Sequence, residues 1–143
     1  MTIRNLDYLF KPNAIALIGD GGDAEIIIAR NLMRGGFKGP IMPVDPKRWA
    51  LEGALVYRDI ADLPVPPALA IITRPLPKIP PLIEQLGQRG ARAAVIYSDA
   101  RDLTEKERST LCQAVLDAAK PYLLRVLGPN SQGYNVPLAN LNA

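Results

Sequence analysis

The 143-residue sequence contains no histidine. That excludes imidazole as a general acid or base, phosphohistidine chemistry, and most catalytic zinc sites within this chain. A single cysteine, Cys112, leaves no intrachain disulfide, and its place in a helical pattern predicts a packed thiol in a reducing compartment. Aromatic residues amount to 6%, and no Lys/Arg run is interleaved with them, so the signature of a nucleic-acid binder is missing. No apolar run approaches the roughly 20 residues that span a bilayer. The opening "MTIRNLDYLF" has neither the apolar stretch nor the small-residue cleavage site of a secretory signal. A cytoplasmic protein with no membrane or nucleic-acid partner is expected.

What is present is an ordinary globular balance. Hydrophobic residues make up 48% and charged residues 22%, in a chain long enough for one domain with its own core. The net charge of +3 permits an anionic ligand. Fourteen prolines, about twice the usual ~5%, are spread along the chain and mark many defined turns.

Short apolar runs alternate with helical patterns. Residues 14–18 ("AIALI"), 40–44 ("PIMPV"), 68–73 ("ALAIIT"), 93–97 ("AAVIY") and 123–127 ("LLRVL") read as strands, with a further short extension at 54–57. Residues 24–34 predict a helix carrying Ile26, Ile27, Ala29 and Met33 and closed by a left-handed cap at Gly35-Gly36. After the proline-rich "RPLPKIPP", Ile79, Leu82, Ile83 and Leu86 fall at i, i+3, i+4 and i+7 on one stripe that Gly90 ends. Thr104 and Glu107 form a capping box for a helix reaching about Lys120, with Leu111, Val115 and Ala118 inward. Leu123 and Leu127 are expected in the core, and the tail after Leu127 reads as loop. Continuous apolar strands alternating with amphipathic helices predict an α/β, Rossmann-like, doubly wound and mainly parallel sheet with helices on both faces.

In such folds ligands bind beyond the carboxyl ends of the strands. The first strand runs into Gly19-Asp20-Gly21-Gly22-Asp23-Ala24, a literal G-x-G-x-x-A that opens a helix. Glycines there let the backbone approach a pyrophosphate, and the helix start offers N–H groups. Asp45 ends the second strand, where an acid can bind a ribose hydroxyl, so an NAD-binding domain is one reading. Asp20, Asp23 and Glu25 oppose any phosphate, although Asp23 can cap the helix and Glu25 complement its dipole. A glycine turn with an acidic cap and no ligand is the alternative. Lys47 and Arg48 follow the second strand, Arg74 the third, and Lys78 lies one turn on; together they favour a phosphate-bearing ligand. Trp49 is either a stacking platform for a purine or a wedge against the sheet. Asn130, in "LGPNSQG", can donate to a carbonyl or phosphate, whereas Ser131 has no histidine to activate it.

The phrases "AIALIG", "RNL…GGFKGPIMPVDPK", "VYRDIADLP", "PALAIIT" and "LLRVLGPNSQGY" resemble the CoA-binding domain of the succinyl-CoA synthetase alpha subunit and of NDP-forming acyl-CoA synthetases. "GGFKGPIMPVDP" and "DIADLP" are most similar to the N-terminal region of Pat-type protein lysine acetyltransferases, which join such a region to a GNAT domain. The resemblance covers residues 6–143. It implies that residues 1–143 are a CoA-binding Rossmann-like domain, the N-terminal fragment of a longer multidomain chain. It implies CoA or acetyl-CoA as ligand and no metal. Gly19, Asp20, Gly21, Gly22 and Lys47 would meet the CoA phosphates. Thr73, Arg74 and Pro75, with Tyr97, Ser98 and Asp99, would line the nucleotide and pantetheine path, and Asn130 would lie near the thiol end. No residue here is implied to be catalytic. The domain would be regulatory, its partners a CoA thioester and the C-terminal domains of its parent, and a homo-oligomer is compatible with the sequence. Relatives commonly have a longer first loop, with Ser where Gly21 stands, and "SAGF" where this chain has "SDAR". The shortened acidic loop motivates a second expectation, a domain that has lost its ligand and serves assembly or allostery.

Overall fold

A computed structural model describes residues 4–143. In chain order the elements are α1 (Asp7–Phe10), β1 (Ile15–Ile18), α2 (Asp23–Arg34), β2 (Ile41–Val44), β3 (Ala50–Leu51), β4 (Ala54–Leu55), β5 (Leu69–Ile72), α3 (Ile79–Arg89), β6 (Ala93–Ile96), α4 (Glu105–Ala119), β7 (Arg125–Leu127), β8 (Asn135–Val136) and β9 (Leu141–Asn142). Single 3₁₀ turns lie at Ile60–Asp62, Leu76–Lys78, Lys120–Tyr122 and Pro137–Ala139.

The main sheet has the order β2-β1-β5-β6-β7, all parallel. β1, β5 and β6 are buried along their whole length because helices cover both faces, which is why these strands are apolar without alternation. Alternate residues still serve opposite faces. Ala16, Ile18, Ala70, Ile72, Ala94 and Ile96 pack with α3 and α4. Ile15, Leu17, Leu69, Ile71, Ala93 and Val95 pack with α2, Leu9 of α1, and Tyr134 and Leu141 of the tail. The doubly wound parallel reading therefore holds. Because chain order reverses between β1 and β5, their carboxyl ends form the switch point at which open α/β sheets bind ligands.

The stripe Ile79, Leu82, Ile83 and Leu86 is buried as the spacing predicts. Gly90 ends α3 in the left-handed region (φ 104°). The capping box is present, with Thr104 accepting from the Glu107 N–H and Glu107 from the Thr104 N–H.

Several expectations need correction. The buried face of α2 is Glu25, Ile28, Ala29 and Leu32, while Ile27 is exposed. Of the Gly35-Gly36 pair expected to close it, Gly36 is the left-handed residue. β3 and β4 form a hairpin whose turn, Glu52-Gly53, has positive φ at both residues, matching a primed two-residue turn. Leu123 sits exposed in a left-handed turn, and Leu127 is exposed on the edge strand β7, where only one side of the sheet has a neighbour. Cys112 lies on the stripe of Val115 and Ala119, at i, i+3 and i+7, but is only partly buried. The tail is a hairpin, β8 with β9, seated on the α2 face.

Candidate functional site

The glycine loop leaves β1 at Gly19 and enters α2 at Gly22. Gly22 is the N-cap and supplies no side chain, so the first N–H groups of α2 have no side-chain acceptor. Asp23 is the first helical residue rather than the cap, which corrects that expectation. Gly21 turns the chain at φ +91°, a conformation open to glycine. The stem of Lys47 lies against it, and the Lys47 side chain is exposed at the rim.

The loop after β5 is tied across the switch point. Thr73 N–H donates to the Ile18 carbonyl at 3.0 Å, and the Thr73 hydroxyl reaches the same oxygen at 3.3 Å. Arg74 Nε donates to the Gly19 carbonyl at 2.8 Å. Lys78 pairs with Asp20 at 3.4 Å, which neutralises one of the three acids that stood against a phosphate. Pro75 is exposed beside them. Thus the structure brings Gly19, Asp20, Gly21, Gly22, Lys47, Thr73, Arg74 and Pro75 to one rim.

A second group gathers at the ends of β6 and β7. The Ser98 carbonyl accepts from Asn130 N–H at 3.0 Å, and Ser98 itself is buried. Asp99 is exposed and bound by Arg101 at 2.6 Å, which holds its carboxyl below the usual range. Tyr97 packs its ring into the α2-side core, away from Ile96 and Ser98 on the opposite face. Burial pushes its phenol up to about 12.

Beneath the glycine loop lies a group that sequence reasoning missed. Glu25 is fully buried, and its Oε2 accepts from Gly21 N–H at 3.2 Å. The carboxyl fills the space that a Cβ on Gly19 would take. Asp45, also fully buried, accepts from Lys47 N–H at 2.7 Å. Arg48 Nε stands 3.4 Å from Asp45 and 3.6 Å from Glu25, while its Nη2 donates to the Gly21 carbonyl at 2.9 Å. Burial first, then the hydrogen bond and charge of Asp45, push Glu25 up to about 7, against the opposing pull of Gly21 N–H and Arg48. One signal was legible: Glu25, Ile28, Ala29 and Leu32 follow i, i+3, i+4, i+7, so the acid shares the buried stripe.

Asp45 cannot serve as a ribose ligand, because its carboxylate is buried and committed to Lys47 N–H and Arg48. That removes the acid on which the NAD reading rested. Trp49 is 75% exposed, with the Arg58 guanidinium 3.8 Å above its ring, and so is not a wedge against the sheet.

A cleft of 160 Å³ opens beside the rim, lined by Pro46, Arg58, Arg74 and Gln85 over Ile60 and Leu82. A larger cavity of 570 Å³ lies at the opposite, amino ends of β1 and β2, between Asn13, Phe37 and Leu138. Strand topology favours the smaller one, which borders the switch point and carries two guanidinium groups. Among the described residues no cluster of three metal-ligating side chains occurs, and no helix is long and apolar enough to cross a membrane.

A family model described as CoA binding domain matches residues 13–137. The alpha subunit of ADP-forming acetate–CoA ligase I from Pyrococcus furiosus is 31% identical, over 97% of this chain and 32% of its own length. ADP-forming acetate–CoA ligase II from Archaeoglobus fulgidus is 33% identical, over 92% of this chain and 20% of its own length. Among solved structures, the dinucleotide-forming acetyl-coenzyme A synthetase 1 of Ca. Korarchaeum cryptofilum, in its apo form, superposes with a TM-score of 0.85 at 34% identity. That match covers 96% of this chain and 30% of the other. The chain thus spans about a third or less of the relatives it matches.

Proposed function

The chain belongs to the CoA-binding domain family, and from that premise we propose that it binds CoA or an acyl-CoA thioester by its diphosphate at the carboxyl ends of β1, β2 and β5. It would do so as the CoA-binding module of an ADP-forming acyl-CoA synthetase-like protein, within a larger assembly or multidomain chain. The observation that carries this reading is the uncapped start of α2 behind a glycine turn, flanked by the cations Lys47 and Arg74 at the switch point.

The residues fit a diphosphate. The amides of Asp23 and Ala24 and the Lys47 ammonium would face it, with the further guanidinium N–H groups of Arg74 and Arg58 toward the adjoining cleft. Ser98 and Asn130, joined by a backbone hydrogen bond, would border the thiol-bearing arm. Bound CoA supplies a thiol for acyl transfer; this domain's share is to hold and orient it.

Isothermal titration with CoA, acetyl-CoA and NAD tests the reading. Heat with the CoA species and none with NAD is expected. No heat with any CoA species at millimolar ligand refutes it and favours a domain kept for assembly. The narrower role, a regulatory module ahead of a GNAT acetyltransferase, is supported only by the phrases "GGFKGPIMPVDP" and "DIADLP". The parent reading frame decides it: a GNAT domain downstream supports that role, and a ligase beta-type region without one refutes it.

A further inference from the structure

Two buried carboxyls and one guanidinium do not balance. Glu25 and Asp45 are both fully buried, and Arg48 is the cation against them. Glu25 Oε1 and Asp45 Oδ2 have no donor among the protein's own groups. Two buried carboxyls gathered on one guanidinium nitrogen, at 3.6 and 3.4 Å, favour a state in which one of them carries a proton. At the same time Glu25 Oε2 takes the Gly21 amide, in the very turn where an anionic ligand would be held. A buried carboxyl therefore lies directly beneath the loop to which the CoA reading assigns the ligand phosphates.

Building on the CoA-binding reading, we infer that Glu25 is a proton-controlled charge beneath the glycine loop, so that binding of a diphosphate ligand is coupled to proton uptake by the Glu25–Asp45 pair. With the pair sharing one proton, the loop faces one negative charge offset by Arg48. When that proton leaves, a second negative charge lies directly beneath the Gly21 amide and repels the incoming diphosphate. Conversely, a bound diphosphate raises the proton affinity of the pair.

The groups that face Glu25 are few. Asp45 comes from the end of β2, Arg48 from the loop after it, and the Gly21 amide from the glycine loop. Around them, the Lys47 stem lies against Gly21, Arg74 holds the Gly19 carbonyl, and Asp20 is paired with Lys78 at the rim. The α2 neighbours on the same stripe, Ile28, Ala29 and Leu32, are apolar. Asp23, on the first turn of α2, is exposed to solvent. With Glu25 titrating at about 7, occupancy of the neutral form falls about tenfold between pH 6 and pH 8, and affinity follows it.

The probe is dephospho-CoA, whose bridging diphosphate does not titrate in that range and which lacks the terminal phosphate of CoA. Calorimetry at pH 6, 7 and 8, in two buffers of different ionisation enthalpy, reads affinity and proton uptake together. The expected result is about tenfold weaker binding at pH 8 than at pH 6, with net proton uptake at pH 8. Glu25→Gln, which mimics the protonated side chain, should bind with little dependence on pH. Wild-type binding that is equally tight at pH 6 and 8 overturns the inference while leaving the CoA reading intact. A Glu25→Gln slope equal to that of wild type overturns it as well. No binding of dephospho-CoA or CoA at any pH overturns both. Should Glu25→Gln fail to fold, the wild-type buffer comparison decides, because absence of proton uptake at pH 8 is sufficient to reject the coupling.

Discussion

Replacing Glu25 by Gln should flatten the dependence of stability on pH near neutrality. The sign follows from linkage. Glu25 is pushed from an ordinary 4.5 up to about 7 in the folded chain, so the folded state binds more protons than the unfolded state between those values. Stability is therefore greatest at the acidic end of that window, declines as pH rises through it, and levels off above about 7. At ~1.4 kcal/mol for each tenfold change in proton affinity, that rise amounts to roughly 3 kcal/mol, most of it lost between pH 5 and pH 8. Few other groups can mask it. The chain has no histidine. The exposed Glu52, Asp99 and Glu107 are shifted downward and change stability only below the window. Tyr97 and Tyr134, raised to about 12, act above it. Urea unfolding at pH 5, 6, 7 and 8, with m checked for constancy, gives the two curves. Wild type should lose stability across the series and Glu25→Gln should not. Parallel curves for the two proteins, or a wild-type stability that rises with pH, would refute the account of the buried pair.

Three further outcomes are expected. A Cβ at Gly87 would stand inside the ring of Tyr122, so Gly87→Ala should lower stability by roughly 1–3 kcal/mol, outweighing the ~1 kcal/mol gain in helix propensity; a raised thermal midpoint would contradict that packing. Thr104→Ala removes the hydroxyl that caps α4 and should cost about 1 kcal/mol in urea unfolding. Lys47→Ala leaves the fold unchanged, since the side chain is exposed, but should weaken CoA by roughly five- to tenfold, about 1 kcal/mol, in calorimetric titration; unaltered affinity would remove Lys47 from the site.

The parts of the molecule legible in its sequence are those decided by nearby residues. "IALI", "LAII" and "AAVI" are apolar without alternation, and only a sheet covered on both faces buries such strands. The α3 stripe and the Thr104–Glu107 box lie within one or two helical turns. Long-range contacts escaped that reading. Leu127 looks like core until β7 is found at the edge of the sheet. β8 and β9 are two residues each, too short for a periodic pattern, and are held by packing on the α2 face. Glu25 looked like an ordinary first-turn acid because its neighbour Asp45 arrives from the end of β2, twenty residues on. For the same reason the glycine motif alone suited NAD as well as CoA, and the buried position of Asp45, which takes away the acid of the NAD reading, was not visible in it.

The tail hairpin bears on how the domain is made. Tyr134 and Leu141 are buried against the α2 side of the sheet, the Tyr134 hydroxyl donates to the Leu9 carbonyl, and Tyr134 and Ala143 exchange backbone hydrogen bonds. During synthesis, then, the sheet and the α3–α4 layer can assemble first, while apolar surface on the α2 side stays open until residues 134–143 have left the ribosome. The nascent chain passes through a half-covered stage, and the Tyr134 bond to its N-terminal turn is added only when that hairpin folds back.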